Sequence, residues 1–426
     1  MFSNNSRTQI SKLLVVTFVA AFVLSLVPHA ASAQAAPQRY MIQLSAAADR
    51  NSVLSTLNAQ VVDTIPQLNV VVVLMDESVA GRARSALDSG MVNFIEPDGI
   101  VTGDLEVAEP ALLDEAMTYG YHMTQSPEGW ALLPEMQREV TIAVVDTGIK
   151  ADHAEFAGRL TPGYDFVSLD ETPEDDNGHG THVAGIIAAG INGVGHAGVC
   201  PTCKIMPVKV LNSRNQGTWS RVASGIMFAI EHGASVINLS LGATSGSETV
   251  RLAIEAAQNA GIIVVAAAGN SGSSDPYFPV SYPGVVGVSA TDNQDVLWGL
   301  SNWGANIDLA APGYRIYSSY FDEASGGYVY MTGTSMAAPF VAGLAGLIIA
   351  YTPVAPTADA TVALMTTNVD DLGDAGWDAL YGNGRINVCK TMATTLGLDS
   401  ATCGDTGGSE EPYSTVASIF LPVVTR

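Results

Sequence analysis

The chain has 426 residues, of which 47 % are apolar, so it is long and apolar enough for two or three globular domains. It carries 18 basic against 42 acidic residues, a net charge of −24. This balance argues against a nucleic acid or an anionic membrane surface as a partner, because phosphate groups are bound by clusters of basic residues.

The first 33 residues have the pattern of an export signal that is later removed. Arg7 and Lys12 precede an uncharged apolar run, Leu13–Val27, and Ala31–Ala33 supplies small residues for cleavage. An uncleaved membrane anchor is the alternative, although this run is short for a helix that spans a bilayer. We expect a secreted, extracellular protein that leaves the membrane after cleavage, with a net charge of 16 − 42 = −26.

Residues 39–103 have the pattern of a small separate unit. The predicted elements are a strand at Tyr40–Leu44, a helix at Arg50–Ala59, a hairpin at Ala59–Met75, a helix at Glu77–Ser89 and a strand at Met91–Val101. This βαββαβ order predicts a ferredoxin-like α+β domain with both helices on one face of the sheet. Residues 104–118 are acidic and aperiodic, which predicts a linker where proteolysis is easiest.

From residue 119 to residue 397, short apolar strands alternate with helices. Strands are predicted at Val140–Val145, Ile205–Val210, Ser235–Leu241, Ile262–Ala267 and Val285–Ser289, and helices at His179–Ala189, Thr218–Glu231, Ser247–Asn259 and Met336–Ala350. This alternation predicts a three-layer α/β domain with a mostly parallel central sheet and ligand sites at the carboxyl ends of its strands. The tail, 398–426, is rich in Gly, Ser and Glu; a removed sorting segment and an edge strand are both open for it.

Four cysteines, Cys200, Cys203, Cys389 and Cys403, favour disulfides in an exported protein. Of the three possible connectivities we favour the local one, Cys200–Cys203 and Cys389–Cys403. A zinc site and a thioredoxin-like redox pair are the alternatives. The spacing is unusual for zinc, and the first pair lacks the βαβ context of a redox motif.

Asp146 follows the apolar strand Val140–Val145 and precedes Thr147-Gly148. A carboxylate at the end of a buried strand can accept an imidazole N–H and fix its tautomer. Asp-Thr-Gly is also the signature of aspartic proteases, which need two such aspartates. A second copy, Asp405–Gly407, has no strand before it.

Two histidines lie in the glycine-rich run Asn177–Gly185. Glycines flank His179, so its imidazole can face a cleft. His182 falls on the same helical face, which suits either a metal pair or a hydrogen-bonded core histidine. No third metal ligand is evident from the sequence.

Two further polar residues stand where a strand ends and where a helix begins. Asn270 follows the strand Ile262–Ala267 and offers an amide N–H for an oxyanion, or else a simple turn. Ser335 precedes the apolar run Phe340–Ala350, where free backbone N–H groups and the helix dipole face outward. The alternative for Ser335 is the cap of a core helix.

The order Asp146, His179, Asn270, Ser335 resembles that of the subtilisin-like serine proteases (subtilases, peptidase family S8). The matching blocks are Val144–Gly148, Asn177–Gly185, Ser240–Gly242, Ala267–Asn270 and Gly333–Pro339, with Tyr381–Asn387 similar to the end of the catalytic domain. Residues 39–103 resemble the family's inhibitory propeptide of the I9 type. The resemblance implies a subtilisin-like catalytic domain at residues 119–397.

The resemblance also implies catalytic roles. Ser335 is the nucleophile, His179 the general base and then acid, and Asp146 the orienting carboxylate. The Asn270 side chain and the Ser335 N–H form the oxyanion hole. No cofactor is required for this chemistry.

Peptide is expected to bind as an added strand between two backbone edges. The implied substrate-binding residues are Gln216, Gly217, Ser240, Leu241, Gly242, Ala268, Gly269 and Tyr277. Tyr277 aligns near the base of the S1 pocket, which predicts a shallow pocket for modest P1 side chains. A tyrosine in a surface turn is the alternative.

Glu155 and Asn192 match two ligand positions of a structural calcium site found in several family members. The region that supplies a further ligand near the mature N-terminus does not align clearly. The alternative for Glu155 is a solvated surface charge.

These features predict a secreted, monomeric serine endopeptidase that hydrolyses polypeptides through an acyl-enzyme. We expect it to be made as a zymogen, inhibited by its own propeptide and cleaved by itself between about Gly103 and Tyr121. One alternative is a catalytically inactive binding protein with the subtilase fold. Another is an acid peptidase of the sedolisin type, in which Glu replaces the catalytic histidine.

Overall fold

The computed structural model describes residues 37–76, 80–103, 109–110, 119–322 and 327–404. The expected signal peptide (1–33), nearly all of the expected linker (104–118) and the tail beyond residue 404 lie outside the described residues. The Asp405–Gly407 motif is also outside them.

The N-terminal unit is a four-stranded antiparallel sheet with two helices, as the sequence pattern predicts. Its elements are β1 (Gln38–Leu44), α1 (Arg50–Leu57), β2 (Gln60–Ile65), β3 (Val70–Met75), α2 (Ala80–Asp88) and β4 (Val92–Pro97), in the sheet order β2-β3-β1-β4. Alternate residues of β3 face two cores, since side chains along a strand point to opposite sides. Val71 and Val73 pack with the helices, whereas Val70 and Val72 face the larger unit.

The prediction of a single closing strand at Met91–Val101 is wrong in one respect. The structure has two strands here, β4 and β5 (Ile100–Thr102). Pro97 has no backbone N–H and its carbonyl accepts the Gly99 N–H at 3.0 Å, so the chain turns here. β5 leaves the first sheet and pairs with the larger unit.

The larger unit is built mainly from strands and helices that alternate along the chain. Its strands are β6 (Glu109–Pro110), β7 (Thr141–Asp146), β8 (Tyr164–Asp165), β9 (Lys204–Lys209), β10 (Gln216–Thr218), β11 (Val236–Leu239), β12 (Ile263–Ala267), β13 (Val286–Thr291), β14 (Leu309–Pro312), β15 (Ile316–Ser319), β16 (Tyr328–Met331), β17 (Val369–Asp370) and β18 (Arg385–Ile386). Its helices are α3 (Tyr119–Met123), α4 (Ser126–Ala131), α5 (His179–Ala188), α6 (Trp219–Glu231), α7 (Glu248–Asn259), α8 (Thr334–Tyr351), α9 (Ala358–Thr367) and α10 (Val388–Thr395). The five predicted strands and four predicted helices all form, with ends within two residues of expectation.

A nine-stranded sheet in the order β17-β18-β14-β13-β12-β11-β7-β9-β8 forms the middle layer. Its strands run parallel except at the β17–β18 pair. Ile142 and Val144 of β7 pack toward α5 and α8, while Ala143 and Val145 pack toward α6 and α7. The expected three-layer α/β architecture is therefore confirmed.

Helix α8 lies in the core. By length and composition it could cross a membrane, but 94 % of its 18-residue apolar window is buried inside the protein. The two local disulfides, Cys200–Cys203 and Cys389–Cys403, form as expected.

Two carboxylates of the N-terminal unit cap two helices of the larger unit. Asp98 accepts the Ser220 N–H at 2.8 Å, at the start of α6. Glu96 accepts the N–H groups of Glu248 and Thr249 at 2.8 and 2.9 Å, at the start of α7. Because a helix N-terminus carries unpaired N–H groups and positive partial charge, these contacts hold the two units together.

Candidate active site

Asp146 and His179 lie together, fully buried, at the carboxyl end of β7. The Asp146 Oδ1 accepts the Nδ1–H of His179 and the N–H of Thr147, both at 2.7 Å. This bond places the proton of the neutral imidazole on Nδ1 and makes Nε2 the basic nitrogen. Gly180 permits the start of α5 to lie close to the loop after β7, because a Cβ at position 180 would lie 2.2 Å from the Gly148 carbonyl oxygen.

A buried aspartate, Asp175, connects the end of β7 to the start of α5. The sequence motifs did not single it out. Asp175 accepts the Gly178 N–H at 2.8 Å and the Thr181 N–H at 3.0 Å, at the start of α5. It also accepts the hydroxyl of Thr147, the residue after β7, at 2.9 Å. The carboxylate therefore holds the start of α5 against the end of β7. The available signal was its place in the acidic run Glu174-Asp175-Asp176, which directly precedes the glycine-rich run of His179.

Ser335 is the second residue of α8 and lies beside the end of β11. Its Oγ–H donates to the Ser240 carbonyl at 3.2 Å, and the Ser240 hydroxyl donates to the Ser335 carbonyl at 2.9 Å. The reciprocal bonds tie the helix start to the strand end.

The amide of Asn270 is held in one orientation. Its Oδ1 accepts both the N–H and the hydroxyl of Thr334, each at 2.9 Å. The Thr334 hydroxyl in turn accepts the Gly269 N–H at 3.0 Å. The Asn270 Nδ2 is buried and has no hydrogen-bond partner within the described part of the chain. Leaving a buried N–H donor unpaired costs free energy. Such a donor is typical of a site that binds an oxygen atom of a ligand.

The end of the N-terminal unit lies between the two backbone edges expected to bind peptide. In the antiparallel pair of β5 and β10, Val101 is opposite Gly217 and Thr102 is opposite Gln216. On the other side, the Thr102 N–H donates to the Gly242 carbonyl at 3.1 Å, and the Gly242 N–H donates to the Thr102 carbonyl at 2.9 Å. β5 thus occupies the groove as a middle strand.

Asn215, which the sequence analysis missed, contacts the next residue of this strand. The Gly103 N–H donates to the Asn215 carbonyl at 3.1 Å, and the Asn215 Nδ2 donates to the Gly103 carbonyl at 2.8 Å. Asn215 is buried and has a φ of 57°, a conformation in which asparagine is enriched. The Asn-Gln-Gly sequence was the only available signal.

Tyr277 is buried, at 6 % exposure, and does not lie in an open surface turn. A Cβ on Gly242 would lie 2.4 Å from its Cε1, and a Cβ on Gly269 would lie 2.8 Å from its Cδ1. The ring therefore fills the space between these two glycines. Leu241 is buried in the core, and the Ala268 carbonyl accepts the Nδ2–H of Asn302 at 3.0 Å.

His182 is a core histidine rather than a ligand paired with His179. Its Nε2–H faces the carbonyl oxygens of Ile316 and Val329, at 3.0 and 3.3 Å. Burial, reinforced by His196 and His179 nearby, lowers the pKa of His182 to about 3. The residue therefore stays neutral at physiological pH.

Glu155 and Asn192 lie side by side, as the calcium hypothesis requires, but the groups around the carboxylate are hydrogen-bond donors. The Asn192 Nδ2 donates to Glu155 Oε2 at 3.0 Å, while Tyr328 and the His196 N–H donate to Oε1 at 2.9 and 3.2 Å. Calcium takes 6–8 oxygen ligands. Among the residues described, no group of three or more His, Cys, Asp or Glu could hold a metal ion. The residues around Glu155 therefore do not fit a calcium ion. Glu155 is buried and is not a solvated surface charge.

Comparison with protein families finds a match over each unit. A family described as "Subtilase family" matches residues 137–384. A second family, "Fervidolysin N-terminal prodomain", matches residues 25–98.

Curated relatives are similar over most of their own length. The chain is 40 % identical to thermitase from Thermoactinomyces vulgaris over 275 residues, which are 64 % of this chain and 95 % of thermitase. It is 42 % identical to subtilisin DY from Bacillus licheniformis over 253 residues, which are 58 % of this chain and 89 % of that protein.

Two solved structures share the fold. Fervidolysin from Fervidobacterium pennivorans, described as keratinolytic and related to subtilisin, superposes with a TM-score of 0.71 at 25 % identity, over 84 % of this chain and 61 % of fervidolysin. An epidermin leader peptide processing serine protease from Staphylococcus aureus superposes with a TM-score of 0.73 at 23 % identity, over 84 % of this chain and 99 % of that one.

The buried neutral histidines predict destabilisation by acid. Burial lowers the pKa of both His182 and His196 to about 3, from the ordinary value of 6.5. Below about pH 6.5 the unfolded chain therefore binds protons that the folded chain does not, and stability falls as the pH falls toward 3. We expect the free energy of unfolding to drop by roughly 1 kcal/mol per pH unit for each histidine.

Urea unfolding of the Ser335→Ala chain at several pH values measures this slope. His196→Gln should make the slope shallower, whereas Ser168→Ala, which removes no titratable group from an exposed turn, should leave it unchanged. A free energy of unfolding that stays constant from pH 6.5 to pH 4.5 would contradict the prediction.

The donors around Glu155 predict that calcium does not stabilise this site. We expect a chelator such as EGTA to leave the melting temperature unchanged within about 1 °C, because no calcium–ligand bonds are lost there. The Glu155→Gln variant is the matched control. A drop in melting temperature caused by the chelator, and abolished by Glu155→Gln, would restore the calcium hypothesis.

Proposed function

The chain belongs to the subtilase family of serine peptidases, preceded by a fervidolysin-like prodomain, and on that basis we propose that Ser335, His179 and Asp146 form its catalytic triad. As a subtilisin-like protein it is a serine endopeptidase. The observation that carries the assignment is the buried bond between Asp146 and His179 at the sheet edge where Ser335 begins α8.

Each residue has a role that its contacts support. His179 Nε2 takes the proton of the Ser335 hydroxyl as its Oγ attacks the peptide carbonyl, while Asp146 stabilises the imidazolium. His179 then protonates the leaving amine, and the acyl-enzyme is hydrolysed by water in the reverse sequence of proton transfers. No metal or cofactor takes part in these steps.

The negative charge that develops on the carbonyl oxygen is bound by Asn270 and by the Ser335 N–H. The buried, unpaired Asn270 Nδ2 supports this role, since the donor is oriented before substrate arrives. Loss of the corresponding asparagine in subtilisin lowers turnover about 10²–10³-fold. We expect an effect of similar size for Asn270→Ala.

The N-terminal unit acts as an intramolecular inhibitor and folding template. β5 fills the groove as a peptide would, and Asp98 and Glu96 cap α6 and α7. Parallel sheets fold slowly because their contacts are non-local, so a unit that binds two of the surface helices can accelerate assembly. Self-cleavage between about Gly103 and Tyr121 then frees the groove.

The mature enzyme is a secreted, extracellular monomer that acts on polypeptides. The signal pattern in residues 1–33 supports export, and the acidic composition suits a soluble protein. Residues 119–397 form the mature catalytic domain in this proposal.

Substitution of the nucleophile is the central test. In a protease-free expression system, the wild-type chain should lose its propeptide, whereas Ser335→Ala should stay intact, because the substitution removes the proposed nucleophile. An organophosphorus probe should label the wild type and not Ser335→Ala, as read by mass spectrometry. Ser168→Ala, in a surface turn, should behave as wild type. Processing or labelling that persists in Ser335→Ala would exclude the assignment.

Tyr277 makes the S1 pocket shallow. We expect wild type to cleave after alanine at least as well as after phenylalanine or leucine, and Tyr277→Gly to raise kcat/KM for P1 phenylalanine about tenfold or more by opening the space between Gly242 and Gly269. Tyr277→Phe keeps the ring and should keep the preference. A wild type that prefers phenylalanine or leucine over alanine by tenfold would overturn this prediction.

A further inference from the structure

We propose that the groove occupied by β5 selects peptides with glycine at the second residue before the scissile bond, and that Asn215 imposes this selectivity. The inference rests on the proposed function, in which β5 lies in the groove as the acyl half of a substrate does. It adds a substrate class and a specificity-determining residue to that function.

The register of β5 identifies the position. In an extended strand, successive residues direct their N–H and C=O groups to opposite sides. Thr102 exchanges both of its bonds with Gly242, and Gly103 turns to the opposite edge, where its N–H donates to the Asn215 carbonyl at 3.1 Å.

The following residue of a peptide in this register turns back toward the Ser240–Gly242 edge. Ser335 lies at that edge, since its Oγ donates to the Ser240 carbonyl at 3.2 Å. The carbonyl attacked by Ser335 therefore belongs to the residue after the Gly103 position. The Gly103 position is the second residue before the scissile bond.

The Asn215 side chain occupies the space that a substrate side chain would need. A Cβ on Gly103 would lie 2.3 Å from the Asn215 Oδ1, 2.5 Å from its Nδ2 and 2.7 Å from its Cγ. All three atoms are too close for a Cβ, so the amide lies directly against the glycine α-carbon. Any L side chain has to displace it.

Displacement has a cost because the amide is bound to the same peptide residue. Its Nδ2 donates to the Gly103 carbonyl at 2.8 Å, and the side chain is buried, with Asn215 at 1 % exposure. Moving the amide breaks this bond and leaves a peptide carbonyl without its donor. Asn215 therefore recognises glycine by a hydrogen bond to its backbone and by contact where a side chain would be.

Glycine at position 215 is the appropriate test substitution. Asn215 has a φ of 57°, which glycine adopts without strain, so Asn215→Gly removes the side chain and preserves the backbone. Leu169→Gly is the matched control, since Leu169 also has a positive φ, of 62°, and lies exposed in a surface turn.

The first measurement compares two chromogenic peptides on the processed enzyme. They are acetyl-Ile-Val-Thr-Gly-Ala-p-nitroanilide, which carries the β5 sequence, and the same peptide with alanine in place of glycine. We expect kcat/KM to be about tenfold lower for the alanine peptide with wild type and Leu169→Gly, and the two peptides to agree within about twofold with Asn215→Gly. Equal cleavage by wild type, or a preference that persists in Asn215→Gly, would overturn the inference while the protease assignment stands.

The second measurement does not depend on catalysis and uses the full chain with Ser335→Ala. Gly103→Ala should lower the melting temperature by about 2 °C when Asn215 is present, and leave it unchanged or raised beside Asn215→Gly. Without a clash, alanine at position 103 would stabilise the chain by restricting its unfolded state. The sign of the change in melting temperature therefore shows whether the Asn215 side chain clashes with a side chain at this position. The same shift in both backgrounds would exclude the contact, and this outcome does not depend on whether Ser335 is the nucleophile of the wild-type chain.

Discussion

The parallel alignment of β7, β11 and β12 is the constraint on which the remainder of this site depends. Parallel neighbours end at the same edge of a sheet, so Asp146, Ser240 and the residues leading to Asn270 are brought together although they are distant in the chain. Two helices then begin at this edge. Their first turns bring His179 and Ser335, with outward N–H groups, to the ends of the strands.

Short polar contacts convert this general arrangement into a defined geometry. Asp175 fastens α5 to the end of β7, Ser240 fastens α8 to the end of β11, and Thr334 orients the Asn270 amide. Each contact uses a buried group whose hydrogen bonds are satisfied by its neighbours. The Asn270 Nδ2 is unpaired within the described residues, and it is the donor that the proposed chemistry requires.

The N-terminal unit binds two kinds of backbone group on the larger unit. These are the N–H groups at the starts of α6 and α7, which Asp98 and Glu96 cap, and the backbone edges that pair with β5. Backbone pairing accepts many sequences, so selectivity has to come from side chains beside the groove. Tyr277 and Asn215 both fill space, the first between two glycines and the second against Gly103.

The sequence by itself determined the order of the main strands and helices, the parallel sheet and the chemical types in the site, because periodicity and strand-end motifs are local signals. It did not determine the break at Pro97–Gly99, the short strands β14 to β18 or the role of Asp175, since these depend on few residues and on distant partners. Only the tertiary structure decided which donors surround Glu155, that Tyr277 is buried, and that Asn215 meets Gly103. Such contacts join residues far apart in the chain, and no local pattern encodes the distance between them.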